Sequence, residues 1–165
     1  TRFDIYLPAA DDRGDAPEDA PTPAPVERRS DQTLLLIEDE PTVREIAAQV
    51  LESAGFQVLQ VGSVAEATAT IAATHATPSL VVSDVVLPDG SGVDAVRAAR
   101  RRWPSLRVLL MSGYFDDMLD ARGLDELDAT LLEKPFNPAA LLRAVHDVLT
   151  GTISESSAAS RWPSG

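Results

Sequence analysis

The chain has 165 residues, 26 acidic against 14 basic, with two histidines and no cysteine. A formal net charge of -12 argues against a nucleic-acid partner gripped through its phosphates, and the lack of cysteine excludes a disulfide framework or a thiolate metal site. No apolar run approaches the ~18 residues a membrane span needs, and the length suits one ordinary domain with tails.

Residues 1–8, TRFDIYLP, alternate apolar and polar and stop at proline, which predicts a short strand. Residues 9–31 are irregular in Ala, Asp, Glu and Arg, punctuated by Pro17, Pro21, Pro23 and Pro25, and predict a disordered, stiff linker. Thr33 to Ile37 is apolar and too short for a helix, so it reads as a strand. Pro41 then opens a helix at its first position. Val43, Ile46, Ala47, Val50, Leu51 and Ala54 form one face of that helix. Gly55 ends it where a positive φ is wanted.

Phe56 to Val61 is the next strand, and Ser63 caps a helix from Val64 to Ala73. Leu80 to Asp84 is a strand, followed by a loop that Pro88, Asp89 and Gly90 shape, with Asp89 as a turn residue. Ser91 to Trp103 is a helix closed by Pro104, and Trp103 closes its apolar side. Arg100, Arg101 and Arg102 suit the helix dipole and read as a solvated face. Arg107 to Met111 is a strand, Asp116 to Arg122 a short helix, and Ala129 to Glu133 a strand. Asn137 caps a final helix from Pro138 to Leu149, and a disordered tail of Ser and Ala follows to residue 165.

Five strands thus alternate with helices, and the strands are apolar end to end, as parallel strands covered on both faces must be. The fold class is α/β, an open parallel sheet with helices on both sides. Sites in such sheets form beyond the carboxyl ends of the strands. Those ends carry Glu38, Asp39 and Glu40, then Asp84, then Ser112, then Glu133 and Lys134. Carboxylates gathered in one pocket repel unless a cation lies between them, and hard oxygen ligands suit Mg²⁺. A carboxylate beside Mg²⁺ and a lysine is a nucleophile toward a phosphoryl group, whose oxygens the cations offset.

Four blocks carry a resemblance: LLLIEDEPTVRE, LVVSDVVLPDGSG, LLMSGY and LEKPF. In order and spacing they resemble the signature blocks of response-regulator receiver domains, across residues 32–150. The resemblance implies a flavodoxin-like sheet of strand order 2-1-3-4-5. It implies that Asp84 is the phosphoacceptor, with Ser112 the switch hydroxyl and Lys134 the phosphate-pairing lysine before a cis Pro135. It also implies Mg²⁺ bound by Asp39, Asp84 and the backbone carbonyl of Val86, with Glu38 acting through water. Glu38 stands where Asp is commoner, and Leu131 occupies the usual aromatic switch position. The phosphodonor would be a histidine kinase, in cis or in trans, and a histidine phosphotransfer protein a further partner, in a cytoplasmic setting.

The segment TRFDIYLP is similar to the closing strand of the ATP-binding domain of sensor histidine kinases. Followed by a Pro-rich linker and a receiver-like region, the resemblance implies the carboxyl-terminal end of a hybrid histidine kinase, an expectation that also accounts for a start at Thr1. Whether to class the chain itself as an enzyme is left open, since a receiver only promotes its own phosphorylation.

Other readings compete. An aspartyl-nucleophile phosphatase would need an acid two residues after Asp84, where Val86 stands. A receiver-like interaction module that regulates a partner or its own kinase without phosphorylation is the alternative, against which the complete set of Asp39, Asp84, Ser112 and Lys134 argues. His146 echoes a phosphoacceptor histidine box but lacks its basic residue and proline, and His75 reads as a surface residue. Val86 and Tyr114 flank the phosphoryl site and are expected to slow hydrolysis of the adduct.

Overall fold

The computed structural model describes residues 32–113 and 127–151. The readings for residues 1–8, 9–31, Tyr114, the helix at 116–122 and the tail lie outside the described residues.

In chain order the elements are β1 (Thr33–Ile37), α1 (Pro41–Ser53), β2 (Gln57–Val61), α2 (Val64–Ala73) and β3 (Leu80–Asp84). There follow two short strands, β4 (Val86–Leu87) and β5 (Gly90–Ser91), then α3 (Gly92–Arg102), β6 (Arg107–Ser112), β7 (Thr130–Glu133) and α4 (Pro138–Thr150). The main sheet has five strands in the order β2-β1-β3-β6-β7, and its pairs are parallel. The expected order is therefore found, with β6 and β7 as its fourth and fifth strands.

Alternation along the strands builds two cores. Leu35, Ile37, Val81, Val108 and Leu110 face α2 and α3, where Ala67, Ile71, Val96 and Ala99 meet them. Leu34, Leu36, Leu80, Val82, Leu109 and Met111 face α1 and α4, where Ala47, Leu51, Leu141 and Val145 meet them. Each such Leu or Val taken out of water contributes about 2 kcal/mol. Trp103 is buried in the first core, as its position at the end of α3 suggested.

The topology also fixes where the site lies. Crossovers between parallel strands are right-handed. From β1 the chain steps outward to β2, and from β2 it returns past β1 to β3. Reversing the step puts α1 and α2 on opposite faces and opens a crevice between the carboxyl ends of β1 and β3.

The helix ends follow their local chemistry. Ser63 Oγ accepts from Glu66 N at 3.1 Å, and Asn137 Oδ1 accepts from Ala140 N at 2.9 Å. Gly55 has φ 91°, the left-handed conformation its place after α1 called for.

Two details differ from the sequence reading. The apolar face of α1 is divided: Ala47, Ala48 and Leu51 are buried, while Ile46 is 55% exposed. Ile46 lies on the edge of α1 that faces Pro135 and Phe136 across an open groove, so that edge is left uncovered. The arginines at the end of α3 are also more than a solvated face. Arg100 Nε donates to the Leu106 carbonyl at 3.1 Å, Arg102 donates to the Thr74 carbonyl at 3.0 Å, and the Arg102 guanidinium lies 5.4 Å from the Trp103 ring centre.

Candidate functional site

The last residue of β3 is Asp84, and β1 runs directly into Glu38 and Asp39. Because β1 and β3 are neighbours, carboxylate oxygens of Glu38, Asp39 and Asp84 lie within 4.8 Å of one another. Glu38 is buried at 1% exposure, Asp84 is buried, and Asp39 is exposed. The pocket is thus closed on one side and open to solvent on the other.

Lys134 enters from two strands away. Its backbone N donates to the Ser112 carbonyl at 2.6 Å, which ties the end of β7 to the end of β6. The Lys134–Pro135 peptide is cis, as the resemblance implied. Lys134 Nζ donates to Asp84 Oδ2 at 2.6 Å and to Glu38 Oε2 at 2.7 Å. One ammonium therefore bridges two of the three carboxylates. The other oxygen of Asp84, Oδ1, accepts from Val86 N at 3.2 Å. Ser112 closes β6 beside these groups, is buried, and donates to the Gly113 carbonyl at 3.2 Å.

Burial makes the charged form of Glu38 costly and raises its pKa, although the ion pair with Lys134 pulls the other way. Burial alone would lower the pKa of Lys134, but its hydrogen bonds to Asp84 and Glu38 outweigh that and raise it. A charge arrangement of this kind, two acids about one base at the mouth of a crevice, is a marker of a functional site.

The loop leaving Asp84 is held clear of the pocket. Ser83 Oγ donates to the Asp84 carbonyl at 2.9 Å, and Val85 N donates to the Met111 carbonyl at 3.0 Å. β4 and β5 pair antiparallel, Val86 with Ser91 and Leu87 with Gly90, so the chain reverses at Pro88 and Asp89. Val86 stands 51% exposed at the start of this ribbon. Gly92 has no room for a side chain, since a Cβ there would overlap the Asp84 carbonyl oxygen.

The structure thus brings Glu38, Asp39, Asp84 and Lys134 together, and sets Ser112 and Val86 at the rim. Glu40 stands apart as the cap of α1, its carboxylate accepting from Thr42 N at 3.4 Å. His75 and His146 are exposed, on other parts of the surface. Two residues close to the site have roles the sequence does not reveal: Arg44 is not singled out there, and Asp89 reads only as a turn residue. Arg44 Nη1 donates to the carbonyls of Glu38 and Asp39 at 2.6 and 3.2 Å. Asp89 accepts from Val64 N and Ala65 N, at 2.8 and 2.9 Å, across 25 and 24 residues of chain. These bonds hold its carboxyl below the usual carboxylate range. Neither has a sequence signal, because an Arg on a helix and an Asp before Gly are ordinary there.

Hard carboxylate oxygens at this spacing, one face open to water, fit a divalent cation such as Mg²⁺. Among the described residues, no helix is long and apolar enough to cross a membrane.

Known proteins match this arrangement. The family model for the response regulator receiver domain matches residues 34–146. The sensor kinase CckA of Brucella abortus is 34% identical over 157 residues, covering 90% of this chain and 16% of the kinase. The transcriptional activator protein ExaE of Pseudomonas putida is 36% identical over 120 residues, covering 72% of this chain and 55% of that protein. Among solved structures, the receiver domain of the hybrid histidine kinase CckA superimposes with a TM-score of 0.60 at 26% identity, covering 71% of this chain and 98% of that domain. With its sheet order, its acidic pocket and a family match over more than half its length, the chain belongs to the response regulator receiver domain family of two-component signalling. It spans 16% and 55% of the lengths of those two full-length relatives.

Proposed function

We propose that this domain accepts a phosphoryl group on Asp84 from a phosphohistidine, in a Mg²⁺-dependent reaction, as the receiver of a hybrid histidine kinase. The observation that carries the reading is the seating of Asp84 between Lys134 and the acids Glu38 and Asp39.

In the reaction an Asp84 carboxylate oxygen attacks phosphorus. The bond from phosphorus to the donor's imidazole nitrogen breaks, and the electron pair leaves with that nitrogen. Lys134 lies 2.6 Å from Asp84 and is placed to pair with the oxygens of the arriving phosphoryl group, and the Ser112 hydroxyl with another of them. Asp39, Asp84 and the Val86 carbonyl would hold Mg²⁺, with Glu38 acting through water. When bound, the cation supplies further positive charge against the phosphoryl oxygens.

A donor surface adjoins the pocket. Val43, Ile46 and Val50 on α1 face Pro135, Phe136 and Leu141 across a groove of about 450 Å³, with Lys134 at its edge. An amphipathic helix laid in this groove would bring a histidine on its flank to Asp84. That is the form expected of a histidine kinase or a histidine phosphotransfer protein. The match to the sensor kinase takes in 90% of this chain, more than the segment 34–146, which supports placing residues 1–8 at the end of a kinase domain. Residues 9–31 are then a linker and 32–150 the receiver.

Transfer from a histidine-phosphorylated donor tests the reading. Label should move to the wild type and not to Asp84→Asn. Equal labelling of both would contradict it.

A further inference from the structure

The β2–α2 turn, Gly62 to Ala65, carries none of the chemistry above, yet both acid-bearing loops are fastened to it. From the β1 side, Glu38 N donates at 3.1 Å to the carbonyl of Val61, the last residue of β2, which carries the ladder up to the edge of the turn. Arg44 holds the carbonyls of Glu38 and Asp39 and packs over Gly62, where a Cβ would come within 3.0 Å of its Nη1. From the β3 side, Asp89 takes the N–H groups of Val64 and Ala65, one on each carboxylate oxygen. Gly90 lies against Val64, whose Cγ2 would be 3.3 Å from a Cβ on that glycine. The turn itself is braced by Glu66, whose Oε2 accepts from Gly62 N at 2.7 Å.

The two clamps differ in charge as their tasks require. Two adjacent carbonyl oxygens beside three carboxylates concentrate negative charge, which the Arg44 guanidinium offsets without occupying any carboxylate. Asp89 instead meets the N-terminus of α2, whose unpaired N–H groups and dipole favour an anion.

We infer that Arg44 and Asp89 are positioning residues of the metal site. They dock the Glu38–Asp39 loop and the Asp84–Val86 loop onto one turn and so fix the separation of the carboxylates before the cation arrives. The inference rests on reading the acidic cluster as a Mg²⁺ site. Neither residue touches the cation. Supports of ligand geometry of this kind are typically worth 10–100-fold in metal affinity.

The test is calorimetric titration of the full chain with MgCl₂. Arg44→Ala and Asp89→Ala should each bind about 10-fold more weakly than wild type. Arg44→Lys keeps one donor and Asp89→Asn one acceptor, so each should recover part of the loss. Acetyl phosphate labelling supplies a second readout: the Mg²⁺ concentration for half-maximal rate should rise by the same factor, with the maximal rate near that of wild type. Affinities within about twofold of wild type in both alanine variants, with their circular dichroism spectra intact, would overturn the proposal. Should the alanine variants fail to fold, the Lys and Asn variants decide: weakened binding supports the proposal and unchanged binding overturns it. A wild type that binds no Mg²⁺ would overturn the metal reading and the proposal together, whereas failure of the variants alone leaves the metal reading standing.

Discussion

Lys134 is the residue on which the charge balance of the pocket turns. Its side chain is 23% exposed and bridges Glu38, at 1%, and Asp84. Replacing it with methionine strands a buried carboxylate beside a second one, so Lys134→Met should destabilise the fold by about 3 kcal/mol at neutral pH. Urea unfolding measures this. The pH dependence has a definite sign. The folded-state pKa of Lys134 is raised above the ordinary 10.5, so its stabilisation is fully present below pH 10.5 and is lost as pH rises through the folded value. The gap between wild type and Lys134→Met should therefore be constant from neutral pH to about 10 and close in stronger alkali. Val86 sets a second expectation. Apolar and 51% exposed at the pocket rim, it offers no group to orient water, so the phosphoryl adduct should persist for minutes or longer. Val86→Asn should shorten that lifetime several-fold, as the decay of labelled protein would show. The candidate site residues were legible because each stands at or just past a strand end, where continuous apolar runs stop. Arg44 and Asp89 were not, because their partners are backbone groups that only folding brings near.

At the scale of elements, α3 starts with no space to spare against the loop that leaves Asp84. A Cβ at Gly92 would overlap the backbone carbonyl of Asp84, so Gly92→Ala forces the helix or the loop to move. The expected cost is about 3 kcal/mol or more, read as a fall in the unfolding midpoint. The outer edge of α1 tells the opposite story. Ile46 is 55% exposed, so Ile46→Asp should change stability by no more than about 0.5 kcal/mol. Transfer from a histidine-phosphorylated donor should slow at least 10-fold, while labelling by acetyl phosphate is unaffected. Equal slowing of both would contradict the groove as the donor's seat. Helical spacing correctly identified α1 but assigned its whole apolar stripe to one buried face, since periodicity does not report that one edge of the stripe borders an open groove. The β4–β5 ribbon had no signal either, because two-residue strands carry no period.

For the whole molecule, the order of the strands does the decisive work. The reversal between β1 and β3 places the Glu38–Asp39 pair and Asp84 at one crevice, and β6 and β7 bring Ser112 and Lys134 to its rim. This architecture was readable from five apolar runs and the helices between them, and the described strands begin and end within a residue of where those runs do. Core packing holds the strand ends in place, so the site depends on a largely aliphatic frame whose strands end at the acidic residues. On the proposed function, this frame delivers Asp84 as a Mg²⁺-dependent phosphoacceptor. Incubation with acetyl phosphate, followed by intact mass, tests it most directly on the wild type and Asp84→Asn, with and without Mg²⁺. A single phosphoryl adduct that requires both Asp84 and Mg²⁺ is the expected result. An adduct on Asp84→Asn, or none on a folded wild type in the presence of Mg²⁺, would contradict it.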